Sequence, residues 1–62
     1  MEKEYYRDLA YQYDGVTFNG FQNVPNGKPM PMFTHLKYGT FVLQNNETLD
    51  EAIERKRIQF QQ

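Results

Sequence analysis

Apolar residues recur along this chain with two different periods, and the change from one to the other marks out its elements. Tyr6, Leu9, Ala10 and Tyr13 fall at i, i+3, i+4 and i+7, the spacing of one helical face. Leu9, Tyr11 and Tyr13 also alternate as a strand would. Asp14-Gly15 is a tight-hairpin signal, and the β-favouring Val16-Thr17-Phe18 follows it. The expectation is therefore a short helical or irregular lead-in, then a hairpin of residues 9–13 and 16–23. Phe18 and Phe21 have opposite parity, so a regular strand would point them to opposite faces. A bulge at Gly20 would return both to one face. Asn23-Val24-Pro25-Asn26-Gly27 reads as the next turn, with Asn-Gly at its tip.

Lys28 to His35 alternates proline with methionine before Phe33. Pro29 and Pro31 share parity, so both missing N–H groups lie on one edge, which predicts an edge strand or an extended arm docking Met and Phe side chains. Leu36-Lys37 turns the chain into residues 38–44, the clearest strand. Phe41 and Leu43 share one face, while Tyr38, Thr40 and Val42 share the other. Apolar groups on both faces suit a central strand or one covered twice. Thr48-Leu49-Asp50-Glu51 is a capping box that opens a helix over 49–60, with Leu49, Ala52, Ile53 and Phe60 on one stripe. Acidic residues occupy its first turn and Arg55, Lys56 and Arg57 lie further along, a favourable order for the helix dipole. Glu51 and Arg55 are spaced to pair. Ile58 lies on the polar side, either freed by fraying or covered by something else.

These elements predict one α+β domain over residues 1–62, with a three- to four-stranded antiparallel meander at about 9–44 and one C-terminal amphipathic helix at about 48–60 packed on it. The expected core is Leu9, Val16, Phe18, Phe21, Met32, Phe33, Phe41, Leu43, Leu49, Ala52, Ile53 and Phe60.

Composition narrows what such a domain can do. A chain of 62 residues buries only about 60% of its unfolded surface, and without cysteine it has neither disulfides nor thiolate metal sites to compensate. Five Tyr and five Phe take up that role and leave aromatic surface to spare. Ser and Cys are absent, His35 is the sole imidazole, and the four glycines are dispersed among turns, so no nucleophile–base pair, metal cluster or phosphate loop emerges. Asp50, Glu51 and Glu54 share a helix with Arg and Lys, the usual pattern of a solvated, charge-paired face. No catalytic role, cofactor or metal is expected.

A net charge of −1 gives little general attraction to nucleic acid or anionic membrane. No apolar stretch approaches the roughly 20 residues of a membrane span. The acidic start Met1-Glu2-Lys3-Glu4 has no signal-peptide core, and a cytoplasmic setting is expected. The leading expectation is a small protein-binding module, an inhibitor or adaptor of a larger protein, such as the compact inhibitors phages direct at host defence. Its contact residues would be Tyr5, Tyr6, Tyr11, Tyr13, Met30 and Ile58, and self-association is a version of the same reading. The alternative is a nucleic-acid-binding or regulatory protein, using tyrosine stacking with Tyr38 and the helix end Arg55, Lys56 and Arg57.

Overall fold

A computed structural model describes residues 2–61. Its elements run α1 (Glu2–Tyr11), β1 (Val16–Gln22), β2 (Met30–His35), β3 (Gly39–Val42) and α2 (Leu49–Gln61). The strands form one antiparallel sheet of order β1-β2-β3. This is the α+β meander expected, with three strands and the C-terminal helix packed on the sheet beside β3.

The first correction falls on residues 9–13, which form no strand. Helical spacing wins because it serves the core better. It buries Ala10 to 2% and leaves Tyr11 79% exposed, whereas strand alternation would have driven Tyr11 inward with Leu9 and Tyr13. α1 ends in tight turns, with Gln12 N–H donating to Leu9 O and Tyr13 N–H to Ala10 O. Gly15 then takes a left-handed φ of 76°. The backbone freedom that makes Asp14-Gly15 a hairpin signal is here spent turning a helix into a strand.

The second correction exchanges the places of β2 and β3. The proline-bearing β2 is central, and β3 is an edge strand flanked by α2. Pro29 lies before β2 begins. Pro31 lies opposite Leu43, whose N–H donates to Pro31 O at 2.9 Å, just past the end of β3. The N–H that Pro31 lacks is therefore missed only at the frayed end of the ladder.

The bulge is where parity placed it. The β1–β2 register slips between Phe18 and Phe21, Gly20 adopts φ 95°, and the two rings meet edge-on at 5.4 Å. Phe18, Phe33 and Phe41 then line up across all three strands. Phe33 is fully buried at their centre, with Val16, Phe41, Ala10, Leu49 and Ala52 buried around it. Leu9, Phe18, Phe21, Leu43 and Ile53 are partly buried. Met32, also partly buried, belongs by alternation to the opposite sheet face. Phe60 departs from the expected core: it is 56% exposed and packs on Tyr38 at 5.6 Å, because the last turn of α2 projects beyond the short β3. The opposite face carries a row of Thr17, Thr34 and Thr40, in which the Asn19 amide bonds the Thr34 hydroxyl and Thr34 meets Thr40 at 3.1 Å.

α2 opens with the predicted box: Glu51 N–H donates to Thr48 Oγ1 at 3.2 Å and Thr48 N–H to Glu51 Oε1 at 2.9 Å. Glu51 is thus occupied at the cap, and Arg55 pairs instead with Glu47, through Nε to Oε2 at 2.9 Å and Nη2 to Oε1 at 3.1 Å. The same Nη2 donates to Val42 O at 2.9 Å, which ties helix, loop and edge strand together.

Candidate functional site

The residues of α1 that follow its inner stripe also form one wall of a surface groove. Tyr5, Tyr6, Leu9 and, just past the helix, Tyr13 face Leu43, Glu47, Thr48 and Leu49 across a depression of about 350 Å³. Its lining mixes the leucine side chains with three phenols, the Glu47 carboxylate and the Thr48 hydroxyl.

Both walls are braced. Tyr6 is only partly exposed, and its ring contacts Phe18 at 5.9 Å, Phe21 at 5.9 Å and Phe33 at 6.3 Å. Tyr5 stands edge-on to Tyr6 at 5.1 Å and is 64% exposed. Tyr13 packs against the core, and burial together with the neighbouring Asp50 carboxylate raises its phenol pKa. On the facing wall Glu47 accepts from Arg55 and from the Gln44 N–H. The Arg55 hydrogen bond outweighs burial and holds the Glu47 carboxyl below its ordinary pKa. Glu47 is therefore a fixed, neutralised part of the wall rather than a free charge.

Of the residues expected to touch a protein partner, the fold gathers Tyr5, Tyr6 and Tyr13 in this groove. Tyr11 is exposed off the groove, Met30 is a partly buried residue at the start of β2 paired with Gln22, and Ile58 is 45% exposed on α2. Leu9 and Leu43, read from sequence as core residues, turn out to serve both core and groove. Their double role is invisible in periodicity, because it depends on how far α1 stands from the loop before α2.

The second set is arranged differently. Arg55 is engaged by Glu47, and Arg57 by the Glu54 carboxylate and the Gln61 side-chain oxygen. Tyr38 stacks on His35 at 4.4 Å, flanks Phe60 and lies under the Lys37 ammonium at 5.8 Å. His35 Nδ1 accepts from Lys37 N–H at 3.0 Å and Tyr38 N–H at 3.4 Å, the hydrogen-bonded turn histidine its position implies. Lys56 borders a shallow depression with Met32 and Thr40. Leu36, at 87% exposed the most open large apolar side chain among the described residues, sits on this turn. Its place in the Leu36-Lys37 turn is itself a signal of surface placement.

A wider depression, about 530 Å³, is lined by Tyr6, Phe21, Glu2 and Lys28, and the two charged residues form no ion pair with each other. Among the described residues no three His, Asp or Glu side chains converge as metal ligands, and no helix is long and apolar enough to cross a membrane. The chain matches no protein-family model, and neither a curated protein nor a solved structure shows significant similarity to it.

Proposed function

We propose that this chain is a non-catalytic protein-binding module that grips a larger protein through the α1 groove and acts as its inhibitor or adaptor. The observation that carries this reading is Tyr5, a mostly exposed ring held on a helix against a second ring that three phenylalanines brace from behind. Tyrosine supplies large contact area with few rotatable bonds, and a ring already held in place loses little entropy on binding. A lining of leucines and phenols suits a hydrophobic side chain of the partner entering between Tyr5 and Leu43, with polar backbone groups meeting the phenols.

The ion pairs of Arg55 and Arg57 weigh against the nucleic-acid alternative. Both cations are already matched, which leaves Lys56 alone at that helix end to displace counterions from a phosphate backbone.

A photoreactive phenylalanine analogue placed at Tyr5, and in a second chain at Arg7 on the far side of α1, tests the reading in the native cell. The expected result is one discrete protein adduct from position 5 and none from position 7. Equal, diffuse labelling from both positions, or adducts with nucleic acid alone, would overturn it.

A further inference from the structure

Two asparagines of the chain, Asn19 and Asn26, precede glycine. A glycine has no side chain to shield its backbone nitrogen, so the amide carbon of an asparagine before it can be reached by that nitrogen. The fold treats the two pairs differently. Asn19 lies within β1, and its side-chain amide is held across the sheet by the Thr34 hydroxyl. Asn26 and Gly27 lie exposed in the turn between β1 and β2. Asn26 follows Pro25 with a left-handed φ of 65°, the arrangement of a type II turn. Among the described residues the Gly27 N–H has no hydrogen-bond partner. Asn46 gives the contrast. Its φ is nearly the same at 63°, but the next residue is Glu47, whose side chain crowds the nitrogen and whose N–H donates to Gln44 O at 3.1 Å.

We infer that Asn26 is a site of spontaneous deamidation, with water as the sole co-reactant. The Gly27 nitrogen gives up its proton to hydroxide and attacks the side-chain carbonyl carbon of Asn26. A new C–N bond closes a succinimide ring, the bond from that carbon to the amide nitrogen breaks, and the departing nitrogen takes a proton from water to leave as ammonia. Water then opens the ring at either carbonyl, so position 26 ends as aspartate or isoaspartate. Either product adds one negative charge to a chain whose net charge is −1. Isoaspartate also routes the backbone through the side-chain carbon and lengthens the turn. The change arrives beside Lys28 and Pro29, which border the wider depression with Tyr6 and Phe21. The turn itself keeps glycine at the reacting position, because a Cβ on Gly27 would stand 3.2 Å from Val24 Cγ2. None of this rests on the function proposed for the α1 groove.

The test is timed incubation of the folded protein at mildly alkaline pH, read by peptide mapping with mass spectrometry that separates aspartate from isoaspartate. Asn26 is expected to convert at least about tenfold faster than Asn19, which reacts only when β1 opens. The same incubation in urea removes the protection of Asn19, and the two Asn-Gly pairs are expected to convert at similar rates. Conversion at Asn26 should quicken as pH rises, while Asn46 stays intact in the folded chain. Equal rates at Asn19 and Asn26 in the folded protein would overturn the inference. So would an Asn26 that stays intact when folded yet converts in urea. A rate at Asn26 that ignores pH would contradict attack by the Gly27 nitrogen.

Discussion

Among the described residues Phe33 is the one large side chain the fold removes wholly from water, and rings from β1, β3 and α1 surround it. Replacing it with alanine is expected to cost about 3–5 kcal/mol. That is much of the stability such a domain has, so urea unfolding should find Phe33→Ala largely unfolded. Phe60→Ala, at an exposed ring, should shift the midpoint only slightly. Arg55 is the polar counterpart. Its side chain and that of Glu47 are 29% and 14% exposed, and Arg55→Ala strands both the Glu47 carboxylate and the Val42 carbonyl. A loss of about 1.5–3 kcal/mol is expected, with Arg55→Lys recovering only part of it because an ammonium cannot reproduce the two-pronged contact. The Glu47 pKa is depressed in the folded chain, so its contribution is present above the unfolded-state value and is lost as pH falls through the folded one. Stability measured from neutral pH into the acid range should therefore fall less steeply in Arg55→Ala than in the wild type.

Elements whose local chemistry admits one answer were legible in the sequence. The α2 capping box and the Gly20 bulge are both in place because each is decided within a few residues. Gly20→Ala tests the bulge: a Cβ there meets nothing within 4 Å, so the penalty is backbone strain at φ 95° alone. About 1–2 kcal/mol is expected in thermal unfolding. Elements decided by distant partners were misread. Residues 5–13 satisfy both periods locally, and only packing on the sheet selects the helix. The prolines of the β2 region argue for an edge, yet the neighbouring β3 is short enough for Pro31 to fall at its end. The Glu51–Arg55 spacing was correct, but capping claimed Glu51 first. At the candidate site, tyrosine abundance pointed to α1, while the division between Tyr5 on the surface and Tyr6 in the aromatic cluster required the sheet behind them.

At the scale of the whole molecule, a core of six buried hydrophobic side chains among the described residues leaves little stability to spare, and half of the ten Tyr and Phe rings sit at the boundary between core and solvent. That boundary position links the fold to the proposed role: the same cluster that supports the core from β1 holds Tyr5 ready on the other side of α1. Binding should therefore depend on apolar contact more than on charge. The most direct test is calorimetric titration of the protein captured at position 5 with the wild type and with Tyr5→Ala, at low and high salt. The account predicts at least tenfold weaker binding for Tyr5→Ala, unchanged thermal stability of the variant, and a wild-type affinity that varies little with salt. Equal affinity of the two chains, or wild-type binding abolished by salt, would contradict it.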